Sequence, residues 1–276
     1  MKIQFTILSF LISLSCAYAA KVDTVAVASK AMGKSIKTVV IRPDQPKQQK
    51  MPVLYLLHGY SGDYANWVNK VPAVKELVDR TGIMIVCPDG GYGSWYWDIK
   101  GDKNYQYETF VAKELVAYVD GHYATNSDRS QRGITGLSMG GHGAMYLAIR
   151  HQDVFSAVGS TAGGVDIRPF PNNWEMAKRL GSYAENPEKW NQHTVMELTH
   201  LIQPKSLEIF VDCGTEDFFF AVNEKLHEKL SYLNVPHRYL TMPGGHTWDY
   251  WSKSIHYQLA FFSEVFSKAA QPIGKQ

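Results

Sequence analysis

Apolar residues along the chain gather into short unbroken runs, separated by longer stretches with helical spacing. Val53 to Leu57 (VLYLL), Ile83 to Cys87 (IMIVC), Gly133 to Leu137, Val154 to Ser160 and Leu207 to Val211 read as strands. Arg238 to Met242 reads the same way, and Ser35 to Ile41 (SIKTVVI) alternates and is β-branched. Tyr107 to Tyr123 places Val111, Leu115 and Tyr118 at i, i+4 and i+7, one face of a helix. Met139 to Arg150, Leu226 to Leu233 and Trp248 to Lys268 also read as helices. Strands that are apolar throughout need cover on both faces. The pattern therefore predicts an α/β fold, a mostly parallel central sheet with helices on both sides.

Gly163 to Lys205 breaks the alternation. It contains prolines, Trp174, Trp190 and short helical pieces, with no clear strand. It falls between two predicted strands, so it is expected as a small helical insertion over the strand ends. Open α/β sheets bind their ligands there, which makes a partial lid the expectation for residues 163–205.

The first residues, MKIQFTILSFLISLSCAYAAK, follow another logic. One lysine precedes an apolar run from Phe5 to Leu14, and Ala17-Tyr18-Ala19 gives a small-x-small cleavage pattern. This predicts a signal peptide over residues 1–19, removed after Ala19, and one domain over 20–276. The apolar run is too short to span a bilayer comfortably, so no membrane span is expected after cleavage. Ser13-Leu14-Ser15 before Cys16 makes a poor lipobox. The expected location is secreted or periplasmic.

The net charge of +2 provides no strong field for nucleic acid. Cys87 and Cys213 remain after the leader, each at the end of an apolar run, and are expected as buried thiols. An exported chain permits a disulfide between them but does not require one. No CxxC or HExxH occurs, so neither a metal nor another cofactor is expected.

The chemistry concentrates at Gly136-Leu137-Ser138-Met139-Gly140, a G-x-S-x-G match between a strand and a helix. In a nucleophile elbow the serine sits on a strained strand-to-helix turn, and flanking glycines let the two elements approach. A serine hydroxyl is a weak nucleophile, so it needs a base held by an acid, here in the chain order Ser, acid, His. The loop in FVDCGTEDFFF offers Asp212, Glu216 and Asp217. Asp212 lies within or at the edge of a strand and reads as structural. Asp217 lies beyond Gly214 just before a helix, and is preferred over Glu216. His246 follows a strand and the Pro243-Gly244-Gly245 turn, and is the expected base. His142, one turn beyond Ser138, reads as a packed or capping histidine. The oxyanion donors expected are the N–H of Met139 and, at the His58-Gly59 turn, the N–H of Tyr60.

Together these motifs resemble the esterase D family of α/β-hydrolases. The matching pieces are LYLLHGYSGDYANW, CPDGGYGSWYWD, YETFVAKELVAYVD, GITGLSMGGHGA, CGTEDFF and GGHTWDYW. They span almost all of the chain after the leader and the first strand. The resemblance implies an α/β-hydrolase fold, a Ser138, Asp217, His246 triad and an oxyanion hole at Tyr60 and Met139. It also places Trp95-Tyr96-Trp97 near the cleft, and Trp174 and Trp190 are expected to set specificity with them. The family includes feruloyl and acetyl-xylan esterases, tributyrin-type esterases, S-formylglutathione hydrolases and mycolyltransferases. The implied partner is a small-molecule or oligosaccharide ester, with no nucleic acid. Acyl transfer on the same triad and glutathione-thioester hydrolysis are the alternatives. The leader points away from the latter, because glutathione chemistry is mainly cytosolic.

Overall fold

The computed structural model describes residues 20–270. The signal-peptide reading of residues 1–19 lies outside them. In chain order the strands are β1 (Lys21–Ser29), β2 (Lys34–Arg42), β3 (Val53–Leu57), β4 (Met84–Pro88), β5 (Arg132–Gly136), β6 (Ala157–Thr161), β7 (Glu208–Gly214) and β8 (Arg238–Met242). The helices are α1 (Asn66–Lys70), α2 (Ala73–Thr81), α3 (Tyr107–Thr109), α4 (Val116–His122), α5 (Met139–Arg150), α6 (Met176–Leu180), α7 (Pro187–Gln192), α8 (Val195–Leu198), α9 (Phe220–Tyr232) and α10 (Trp248–Ala270). A π-helical stretch, Phe110–Leu115, joins α3 to α4.

The strands form one sheet in the order β1-β2-β4-β3-β5-β6-β7-β8. All pairings from β4 to β8 are parallel, whereas β1 with β2 and β2 with β4 are antiparallel. This is the mostly parallel sheet expected from the apolar runs. β1 is not among the strands assigned from the sequence. It is an edge strand of mostly exposed or half-buried positions, fixed by its hairpin register with β2. β7 extends to Gly214 because β8 pairs with it as far as Gly214–Met242, which draws Asp212 and Cys213 into the sheet. α9 begins at Phe220, six residues before the periodicity suggested.

All five β3 residues are buried, and they divide between two cores. Val53, Tyr55 and Leu57 face the layer that includes α5, whereas Leu54 and Leu56 face the α2 and α10 side. The period of two in a strand directs successive side chains to opposite layers. Each aliphatic side chain buried this way contributes roughly 1.5–3 kcal/mol. Cys87 and Cys213 are buried free thiols. Residues 163–205 hold α6, α7 and α8 and no strand, between β6 and β7.

α5 is buried along almost its whole length, and its one histidine is built into the core. The Trp97 indole N–H donates to His142 Nε2 at 2.9 Å. An indole nitrogen can only donate, so Nε2 accepts and Nδ1 carries the proton, donating to Gly164 O at 2.9 Å. Burial lowers the His142 pKa to about 3. An unfolded chain protonates this residue near pH 6.5 while the folded one does not, so its contribution to stability falls as pH drops. His142→Gln should remove that dependence. Urea unfolding at pH 7 and pH 5 should show the parent losing about 1.4 kcal/mol more per pH unit below 6.5 than the variant.

Candidate active site

β5 ends at Gly136 and α5 begins at Met139, so Ser138 occupies the turn between strand and helix. Its backbone is at φ 56°, ψ −119°, a region that costs an ordinary side chain on the order of 1–3 kcal/mol. The glycines allow the close packing that holds it there. A Cβ on Gly136 would lie 2.6 Å from the Gly140 backbone, and one on Gly140 would lie 2.6 Å from the carbonyl oxygens of Leu57 and His58. The Ser138 N–H donates to Thr161 O at 3.0 Å, pinning the turn to β6.

Ser138 Oγ lies 2.8 Å from His246 Nε2. His246 Nδ1 lies 2.7 Å from Asp217 Oδ2. A carboxylate accepts, so Nδ1 carries the proton and the Nε2 lone pair faces the serine hydroxyl. The Asp217 side chain is fully buried, and its other oxygen accepts from the Phe219 N–H at 2.8 Å. The loops after β7 and β8 thus bring together three residues far apart in sequence. Glu216 is exposed, and the carboxylate bonded to His246 is that of Asp217. Asp212 is buried in β7, where Gln258 and Thr161 donate to it, and desolvation raises its pKa to about 6.

Among the described residues, neither the Tyr60 nor the Met139 N–H donates a hydrogen bond. Met139 opens α5, where a helix leaves its first N–H groups unpaired. The peptide carrying the Tyr60 N–H is held by its carbonyl. His58 Nδ1–H donates to Gly59 O at 2.8 Å, and the Gly62 N–H donates to it at 3.1 Å. His58 Nε2 accepts from the Gly90 N–H at 2.7 Å, which fixes the tautomer, and burial lowers the imidazole pKa and keeps it neutral. In a trans peptide the N–H points opposite the carbonyl, so these bonds turn the Tyr60 N–H away from His58.

A cleft of about 610 Å³ opens over Ser138 and His246. Its walls include Tyr60, Trp174, Phe218, Trp248 and Trp251. Of the aromatic residues expected to contact substrate, only Trp174 lines it. Trp95, Tyr96, Trp97 and Trp190 are buried in the core, which corrects the expectation for those four. Trp95 and Trp97 stack on each other at 5.7 Å and both pack against His142. The Trp190 indole N–H donates to Gly181 O, and its ring packs on Tyr183. Residues so enclosed have no surface to offer a ligand. Phe218, Trp248 and Trp251 were missed, although Phe218 directly follows Asp217 and the two tryptophans open the helix after His246. Their positions flanking Asp217 and His246 were the available signal.

Among the described residues, no group of three or more His, Cys, Asp or Glu is arranged to hold a metal ion. No described helix is long and apolar enough to cross a membrane.

Comparison with known proteins agrees with this architecture. The chain is 27% identical over 258 residues to an acetyl esterase of Caldicellulosiruptor saccharolyticus, covering 86% of this chain and 96% of that one. A solved ferulic acid esterase superposes with a TM-score of 0.77 at 30% identity, covering 90% of this chain and 99% of the other. An S-formylglutathione hydrolase from Agrobacterium tumefaciens shares the fold, with a TM-score of 0.77 at 21% identity over 92% of this chain and 99% of that one. The family model described as Putative esterase matches residues 29–262, nearly the whole described fold, and the chain therefore belongs to this family of α/β-hydrolase carboxylic ester hydrolases.

Proposed function

We propose that the protein is an exported serine esterase acting through an acyl-enzyme. The observation that carries this reading is the unbroken hydrogen-bond line from Ser138 through His246 to Asp217 at the floor of an open cleft. As the Ser138 hydroxyl attacks the ester carbonyl, its proton passes to His246 Nε2. Asp217 holds the imidazole in the required tautomer and stabilises the imidazolium that forms. The carbonyl oxygen becomes an oxyanion, which the Tyr60 and Met139 N–H groups receive. Each such donor contributes roughly 2.7–4 kcal/mol to the transition state. His246 then returns the proton to the leaving alcohol, and water, activated by the same imidazole, releases the acid.

The cleft bears on the substrate class. Its volume of about 610 Å³ far exceeds what an acetyl group fills, and Tyr60, Trp174, Phe218, Trp248 and Trp251 put aromatic rings among its polar and glycine lining. That favours an aromatic acyl group such as feruloyl, carried on a plant polysaccharide or its fragments, over acetyl or simple short-chain esters. The 30% identity to a ferulic acid esterase supports this choice. Trp174 brings residues 163–205 to the cleft wall, consistent with a partial lid. The leader-like residues 1–19 support a periplasmic or secreted location, where such esters are met.

Ser138→Ala should abolish hydrolysis of p-nitrophenyl acetate and methyl ferulate with the fold intact, because it removes only the hydroxyl and keeps Cβ and its packing. Retained activity would remove the nucleophile from the proposal. Asp217→Asn should lower kcat by about 10⁴-fold, the scale set by loss of the orienting carboxylate, whereas Glu216→Gln should stay within about twofold. Across a panel of acetyl-xylan, methyl ferulate, feruloylated arabinoxylan fragments and p-nitrophenyl esters, kcat/KM should be highest for the feruloyl fragments. Trp174→Ala should reduce kcat/KM for the feruloyl esters more than for p-nitrophenyl acetate. A panel with activity only on short simple esters would reject the polysaccharide reading.

A further inference from the structure

The Trp95-Tyr96 pair does not line the cleft, yet it is one of two places, with Trp174-Glu175, where consecutive non-glycine residues take a positive φ. Both residues are left-handed, at φ 55° and 62°. Large aromatic residues rarely adopt this conformation, and two in succession persist only where the surroundings enforce it. Here the enforcing contacts converge on Tyr96. Ser94 Oγ donates to Gly90 O and accepts the Tyr96 N–H at 3.0 Å. The Tyr96 ring fills the space beside two glycines. A Cβ on Gly90 would lie 2.4 Å from the ring, and one on Gly143 would lie 2.3 Å from it. The hydroxyl, fully buried, donates to His58 O at 3.0 Å.

These contacts join the two elements that carry the expected oxyanion donors. Gly143 lies on α5, one turn after Met139. His58 precedes the Gly59–Tyr60 peptide and already holds its carbonyl through Nδ1. Gly90, the residue whose N–H fixes the His58 tautomer, packs on the same ring. Burial raises the Tyr96 pKa well above its ordinary value, so the hydroxyl remains a donor through the neutral range. We propose that Tyr96 is a positioning residue that sets the spacing between the Tyr60 and Met139 N–H groups, by wedging its ring against α5 and bonding its hydroxyl to the His58 carbonyl. The strained turn exists to deliver that side chain. This inference rests on the serine-esterase reading, because it assigns Tyr96 a part in stabilising the oxyanion of that mechanism.

A positioning role predicts a selective loss. In Tyr96→Phe the ring stays and only the bond to His58 O is removed. The value of kcat for methyl ferulate should fall about 10-fold, a part of the roughly 10²–10³-fold cost of deleting a donor outright, with KM within about twofold. Affinity for an aryl trifluoromethyl ketone, whose adduct with Ser138 places an oxyanion between the two donors, should fall by a matching factor. Affinity for ferulic amide as a ground-state analogue should not change. Trp190→Phe, equally buried but outside this loop, should lower the melting temperature and leave the ratio of ketone to amide affinity as in the parent. Unchanged kcat and ketone affinity in Tyr96→Phe would overturn the inference, as would an equal loss for ketone and amide. Should Tyr96→Phe fail to fold, Ser94→Ala tests the same loop: a smaller selective loss supports the role, and an unchanged ketone affinity rejects it. The two readings fail separately, since an active Ser138→Ala variant refutes the serine-esterase mechanism, whereas an inactive one beside a fully active Tyr96→Phe refutes only the role of Tyr96.

Discussion

The contact on which the site depends is backbone against backbone. The first turn of α5 lies so close to the end of β3 that Gly140 has no room for a methyl group beside the Leu57 and His58 carbonyls. That approach has two effects at once. It forces Ser138 into a left-handed turn that lifts its hydroxyl clear of the sheet, and it sets the Met139 N–H beside the chain segment that carries the Tyr60 N–H. The proposed nucleophile and oxyanion donors are therefore products of one packing event. The sheet spreads the strain of that turn over many contacts, since β5 is buried at every position and paired on both sides.

His246 and Asp217 reach the same point from the other half of the sheet, and a buried polar network ties the halves together. Thr135 Oγ1 donates to Gln258 Oε1 at 3.0 Å, and Gln258 Nε2 donates to Asp212 Oδ2 at 2.6 Å. Thr161 Oγ1 donates to the same carboxylate oxygen at 3.0 Å. β5, β6 and β7 are thereby linked to α10, the helix that follows the His246 loop. Gln258 uses the gap left by Gly159, where a Cβ would lie 1.9 Å from its amide oxygen. Burying a carboxylate is costly unless hydrogen bonds satisfy it, and the raised Asp212 pKa reflects the desolvation that remains. Asp212 thus serves the sheet, while Asp217, five residues later and just outside it, faces the imidazole.

The aromatic residues divide along the same line. Those between β4 and α3 look in sequence like the lining of a cleft, because tryptophan and tyrosine are amphipathic enough to serve either purpose. In the fold they lie under the elbow helix, with the Trp97 N–H spent on His142 and the Tyr96 hydroxyl on His58. The cleft is walled instead by Trp174, Phe218, Trp248 and Trp251, contributed by three separate loops or helix starts. Single residues on different segments leave no periodic trace.

The sequence alone determined the parallel sheet, the elbow and the order of Ser138, Asp217 and His246, because each follows from local constraints. Unbroken apolar runs must be covered on both faces, glycines mark where backbones touch, and a polar residue just past a strand end is presented at the sheet's edge. The edge strand β1 escaped notice because its one apolar run, Val25-Ala26-Val27-Ala28, is short and half of it is alanine, which marks no strand by itself. Tertiary structure alone decided which aromatic rings are buried and which face the cleft. Those outcomes depend on distances between segments remote in the chain. A ring's burial is set by what packs on it from elsewhere, and no spacing along the chain encodes that.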